Sequence, residues 1–139
     1  MGRTYTKLWI HVVWAVKERE PLLTPQFRVK LFKIMIEYAR QNDIYLDCVN
    51  GVENHVHCLL CLSPIQSVAG VIKRLKGASS RWLNDKHWIE GLFAWQGGYS
   101  AFSVSATQLE KVRKYIYKQE QHHQTESFAD EWKRFAINS

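Results

Sequence analysis

Two histidines stand one residue apart in the apolar run NHVHCLL, Asn54–Leu60. Imidazole is polar, and a neutral ring nitrogen is a common ligand for divalent metals. Side chains two apart on a β-strand leave the same face. His55 and His57 therefore point the same way and can reach one cation. Val56, Cys58, Leu60 and Leu62 point the other way, toward a hydrophobic core. Two satisfied structural histidines are the plainer alternative, and two ligands alone do not make a site.

More donors follow downstream in YIYKQEQHH: Tyr115, Gln119, Glu120, His122 and His123. Tyr115 and Gln119 are i and i+4, neighbours on one helix face. Tyr117 and Gln121 have the same spacing, so spacing does not choose between the pairs. A helical tyrosine is usually an amphipathic packing residue. His11 lies on an earlier apolar run and could line the same site, although packing is the preferred reading. His122 and His123 are weaker candidates for DNA or metal contact. Cys58 and Cys61 form a C-x-x-C spacing, but positions three apart on a strand diverge. Buried structural cysteines fit better than a zinc site.

These residues need elements to position them. Lys7–Lys17 reads as a first strand, rich in Trp, Ile and Val. Thr24 and Pro25 open a helix, as cap and first helical residue. Phe27, Leu31, Ile34 and Tyr38 give it an apolar face, and it fades at RQND. Ile44, Leu46 and Cys48 alternate with polar partners in a second strand ending near Gly51. HVHCLLCL is the third strand, stopped by Pro64. A second helix runs from about Ser67 to Asn84, with Val68, Val71, Ile72, Leu75 and Trp82 on its buried side. FAWQGGYSAFSVS supplies a fourth strand. A third helix begins at Ser105, where SATQ reads as a capping box with Gln108. Leu109, Val112 and Ile116 are its docking stripe, and SFADEWKRFA adds a short helix. The order β-α-β-β-α-β plus a C-terminal helix carrying the tyrosine predicts an α+β, ferredoxin-like sandwich. Both α-helices then cover one face of the sheet, and the histidines sit on the other.

The chain of 139 residues suits one domain, 1–139, with no repeats or linkers. No apolar run reaches the length of a membrane span. Charged KERE after Trp9–Val16 argues against a signal peptide. MGRTYT matches a loose myristoylation pattern, but an exposed terminus is the preferred reading. Three cysteines suit free thiols in a reducing compartment. A net charge of +6 and a pI of 9.3 allow, without requiring, an anionic partner.

NHVHCLL followed by VRKYIYKQEQHH resembles the HUH single-tyrosine transposases of small bacterial insertion sequences (TnpA-like, including REP-associated tyrosine transposases). HUH stands for His, bulky apolar, His: here His55, Val56 and His57. The family's YIxxQ motif falls on Tyr115, Ile116 and Gln119. HVVWAVKERE, RLKGASSRWL and WQGGYSAFSVS extend the resemblance over nearly the whole chain. It implies a transposase in which Tyr115 attacks a phosphodiester of single-stranded DNA with hairpin ends. A 5′-phosphotyrosine forms and a 3′-hydroxyl is released. No nucleotide cofactor is needed, because transesterification keeps the bond energy. Gln119 would complete a Mg²⁺ or Mn²⁺ site with His55 and His57. The family also implies a homodimer with composite active sites, in a bacterial or archaeal cytoplasm at the nucleoid.

Lys73, Arg74, Lys76 and Arg81 alone read as a solvated helix face. With the resemblance they become a phosphate-binding stripe beside Ser80, and Lys17 with Arg19 a second basic patch. Tryptophans could stack unpaired bases. The chain departs from the family in bulky Tyr117 and Lys118 inside the tyrosine motif. It also has Asn54 where an acid often precedes the first histidine. The alternatives are a domesticated member, a non-catalytic hairpin-binding module on the same fold, and a structural zinc protein, which strand parity disfavours.

Overall fold

The computed structural model describes residues 2–123 and 126–138, except the side chains of 122, 123, 132 and 135–138. Four strands form one antiparallel sheet: β1 (Leu8–Ala15), β2 (Tyr45–Gly51), β3 (His55–Leu62) and β4 (Ser100–Val104), in the order β2-β3-β1-β4. Helices α1 (Pro25–Gln41) and α2 (Val68–Lys86) are the two crossovers. Each βαβ unit thus leaves a gap of one strand, filled by a strand of the other half, as the element order predicts.

Strand parity divides the residues between two faces. Val12, Trp14, Val56, Cys58, Leu60 and Leu62 join Leu31, Met35, Val71, Ile72, Leu75 and Leu83 in the main core beneath α1 and α2. The opposite face carries His11, His55, His57 and Leu59. Helix α3 (Leu109–Tyr117) docks there, burying Ile116 against Trp9, Cys48 and Leu59. A short α4 (Gln119–His123) and an α5 (Phe128–Asn138) follow. No helix is long and apolar enough to cross a membrane among the described residues. Cys48, Cys58 and Cys61 are free thiols, and Cys58 and Cys61 belong to opposite faces, as expected.

Three local expectations change. Ile44, Leu46 and Cys48 do not share one face. A bulge between Leu46 and Cys48 leaves Asp47 as an extra residue. Parity flips there: Leu46 packs on the main core and Cys48 on the second cluster. The third helix does not start at Ser105 with a capping box. Ser105 makes no side-chain cap, and Ala106–Gln108 is a 3₁₀ turn before α3. Nor is that helix continuous, because Lys118 (φ −97°, ψ 23°) separates α3 from α4. Thr24 does take the cap position of α1 and Pro25 the first helical turn, although the threonine hydroxyl caps nothing.

Gly51 is required by the β2–β3 connection. A Cβ there would lie 2.3 Å from the His55 carbonyl oxygen. The strand bearing the histidines therefore turns back tightly from its neighbour.

Candidate metal and tyrosine site

His55 and His57 are fully buried on the α3 side of the sheet. Across the strand pairing, His57 stands opposite Val13 and Asn50, and His55 opposite Ala15. Residues opposite one another project from the same face, so Asn50 points toward the site. Its amide Nδ2 donates to the Ile116 carbonyl at 2.9 Å and to that of Tyr117 at 3.1 Å. These carbonyls end α3, so the bond pins the tyrosine segment beside the histidines. The bulge at Asp47 is what brings Asn50 to this face. Asp47 itself accepts a two-pronged bond from Arg113 at 2.8 and 3.0 Å, docking α3 on β2.

The centre of the site is Glu131 of α5, 1% exposed. Its Oε1 lies 3.1 Å from Nε2 of both His55 and His57. Its Oε2 accepts from the Tyr115 hydroxyl and, at 3.3 Å, from Gln119 Nε2. Donor atoms of His55, His57 and Glu131 all lie within 4.8 Å of one another. Gln119 is also fully buried, and its Oε1 has no hydrogen-bond partner among the described residues. An orphaned buried carbonyl oxygen costs on the order of 1–3 kcal/mol, and a cation would satisfy it.

Hydrogen bonding around the histidines agrees. Asn54 Oδ1 can only accept, so His55 Nδ1, 2.8 Å away, carries the hydrogen of that bond. A neutral His55 then turns the lone pair of Nε2 toward Glu131 Oε1. Two lone pairs at that distance call for a proton or a cation between them. His57 Nδ1 is 2.9 Å from His11 Nε2. Burial, then the neighbouring His57, push His11 down to about 3, against a smaller opposing effect of Glu131. With Nδ1 of His57 bonded to a neutral partner, its Nε2 is left to face the centre. Two imidazoles, a carboxylate and an amide oxygen form a donor set that suits a divalent ion.

Tyr115, not Tyr117, meets this cluster. Its ring centroid is 5.7 Å from that of His57 and 6.3 Å from that of His11. Burial first, then the bond to Glu131, push its hydroxyl above the ordinary tyrosine range, and Arg134 opposes them. Arg134 Nη2 donates to the Tyr115 hydroxyl at 2.9 Å. Tyr117 is 62% exposed and turned away. Phe128 of α5 stacks on His55 with centroids 4.1 Å apart, and Arg19 lies over Phe128 at 5.0 Å.

The structure thus brings together Tyr115, His55, His57 and Gln119 within one chain, with Arg19 at the margin. Lys73, Arg74 and Arg81 are exposed on α2, in the helical layer behind the sheet. Lys76 instead donates to the carbonyls of Gln96 at 2.7 Å and Gly98 at 3.0 Å. Ser80 donates to the Gly77 carbonyl at 3.2 Å, and Lys17 is exposed beside Arg19. The side chains of His122 and His123 lie outside the described residues. His11, expected to pack, is buried as expected and also touches His57.

Sequence reasoning missed Glu131, Arg134 and Asn50. Glu131 follows Asp130 on an amphipathic helix, and local spacing does not tell a buried acid from a solvated one. Asn54 departs from the family pattern, yet its amide oxygen accepts the bond from His55 Nδ1.

A family model described as "Transposase IS200 like" matches residues 4–119. The ISDra2 transposase TnpA of Deinococcus radiodurans is 32% identical over 126 residues, covering 85% of this chain and 89% of the relative. A crystal structure of a transposase from Deinococcus radiodurans R1 superposes with a TM-score of 0.66 at 31% identity, covering 86% of this chain and 96% of that one. The structure of a REP-associated tyrosine transposase bound to a REP hairpin gives a TM-score of 0.60 at 20% identity, covering 88% and 73%. That last likeness is one of fold.

Proposed function

The chain belongs to the IS200-like transposase family, and from that premise we propose that it is a metal-dependent transposase of single-stranded DNA with Tyr115 as nucleophile. His55, His57, Glu131 and the Gln119 carbonyl oxygen would hold Mg²⁺ or Mn²⁺. When bound, such an ion polarises the attacked phosphate and offsets its charge. Tyr115 Oη attacks phosphorus, the bond from phosphorus to the 3′-oxygen breaks, and a 5′-phosphotyrosine forms. The phenolic hydrogen leaves along the bond to Glu131, and a hydrogen ends on the released 3′-hydroxyl. Reversal by a new 3′-hydroxyl rejoins the strand.

The observation that carries this reading is the hydrogen bond from Tyr115 to Glu131, whose other oxygen contacts both histidines. It supports Tyr115 over Tyr117, which spacing left equal. A hairpin partner follows from the family resemblance, and the REP hairpin bound by the fold neighbour is a ligand of the same kind. Lys73, Arg74, Ser80 and Arg81 on α2, and Lys17 with Arg19 nearer the site, are the phosphate contacts of this reading. Lys76 would act there by holding the segment before β4.

Covalent trapping tests it. The protein is incubated with labelled single-stranded hairpin DNA from beside its own gene, with Mn²⁺, then denatured. A linked species should survive, vanish in Tyr115→Phe and persist in Tyr117→Phe. An adduct that persists in Tyr115→Phe would sink the assignment. Tyrosine and histidines meet within one chain here, and the homodimer with composite active sites that the family resemblance implies would bring the same residues together between subunits. A mixture of Tyr115→Phe and His57→Ala proteins tells the two apart: it stays inactive if each chain completes its own site and regains activity if subunits exchange tyrosines.

A further inference from the structure

The family match ends at residue 119, yet α5 beyond it reaches the reacting oxygen. We propose that Arg134 is a catalytic residue: its guanidinium orients Tyr115 Oη and binds the phosphate that Oη attacks. The inference rests on Tyr115 being the nucleophile.

The geometry is specific. Arg134 Nη2 is 2.9 Å from Tyr115 Oη, and the guanidinium carbon lies 5.2 Å from the centre of the tyrosine ring. Glu126, ahead of α5, accepts from Nη2 at 2.9 Å and from Nε at 3.2 Å. Ring and carboxylate together hold a long side chain in one pose. Arginine suits this place because its planar fork of donors matches phosphate oxygens and stays charged at any working pH. The side chain is 41% exposed, whereas Glu131 on the same helix is buried. Arg134 thus stands between the buried donor cluster and the solvent from which DNA must come.

The reaction explains why this position matters. Attack forms the bond from Oη to phosphorus and breaks the bond from phosphorus to O3′. The electron pair of the broken bond goes to O3′, and the hydrogen given up by Tyr115 balances it there. Nothing is oxidised or reduced. The attacked phosphorus carries two non-bridging oxygens, two bonds from Oη once the new bond forms. A donor already on Oη needs only a small swing to reach them. Negative charge builds there in the transition state, where a fixed donor acts most strongly. Glu131 repels the incoming phosphate unless its charge is offset, and Arg134 is a positive group on the open side.

Single-turnover trapping on the labelled hairpin with Mn²⁺ tests the assignment. Arg134→Ala should slow adduct formation about 100-fold, the effect of losing one such donor. Hairpin affinity should fall far less than the rate, and the rise in melting temperature on adding Mn²⁺ should stay near wild type. Arg134→Lys should keep part of the rate, and free guanidinium should partly rescue Arg134→Ala. Rescue distinguishes a missing charge from a displaced helix. A rate in Arg134→Ala equal to or above wild type would overturn the proposal, the latter marking α5 as a cover over the site. A loss shared by the Mn²⁺ response, without guanidinium rescue, would also overturn it, leaving Arg134 a structural anchor. An adduct that survives Tyr115→Phe is a different failure, that of the nucleophile itself.

Discussion

Glu131→Gln removes one negative charge from the centre of the site and keeps the side-chain shape. The carboxylate contacts both histidines at 3.1 Å, and also Tyr115 and Gln119. A metal that binds only the folded chain adds stability by mass action. At about 100 times its dissociation constant it contributes about 2.7 kcal/mol. For a chain of this size that is a rise of about 8–11 °C in melting temperature. Losing even a supporting contact to a metal site typically weakens binding 10–100-fold, so losing a charged ligand should reach about 100-fold. The same Mn²⁺ concentration then equals the new dissociation constant and contributes about 0.4 kcal/mol, or about 1–2 °C. Thermal unfolding with and without Mn²⁺ reads this directly, without DNA or turnover. Tyr115→Phe removes no ligand and should keep the full rise. If Glu131→Gln keeps the full rise, Glu131 is not a ligand. If wild type shows none up to millimolar Mn²⁺, the histidine pair does not hold the ion.

Asn50→Ala removes the amide that holds the carbonyls ending α3. It should cost about 1–2 kcal/mol in urea unfolding and slow adduct formation more than it weakens hairpin binding, because the tyrosine segment loses its anchor. Burial, followed by the neighbouring Asp47 charge, pushes the Cys48 thiol from 9.0 up to about 12. The folded chain therefore keeps a proton that the unfolded chain releases, so this contribution to stability is full below 9.0 and declines between there and about 12. Cys48 and Cys58 should resist alkylation at pH 8 until urea unfolds the chain, with Cys61 reacting first; mass spectrometry of the labelled peptides checks the order.

Much of this architecture is legible in local pattern. HVHCLLCL is a strand because β-branched and apolar residues fit a pleated, buried surface, and parity alone puts His55 and His57 opposite Val56 and Cys58. Helices α1 and α2 follow from their apolar periodicity, and Ser67 caps α2 through its hydroxyl. The HxH and YIxxQ residues, read with the family resemblance, name the histidines, tyrosine and glutamine that the fold brings together around Glu131.

What sequence could not carry is what depends on distance. Tyr115 and Tyr117 have equal spacing to a glutamine, and only the docking of Ile116 into the second cluster decides which ring turns to the histidines. The Asp47 bulge reverses the parity of Cys48 and Asn50, and no local signal marks a single extra residue in one strand. Glu131 and Arg134 look like ordinary charges of a solvated helix. The roles proposed for them rest on α5, which returns across the chain to lay a carboxylate between two imidazoles and a guanidinium on the tyrosine oxygen. Periodicity records which face a residue occupies. It says nothing of which distant face will lie against it, and the candidate metal and tyrosine site is made of those long-range meetings.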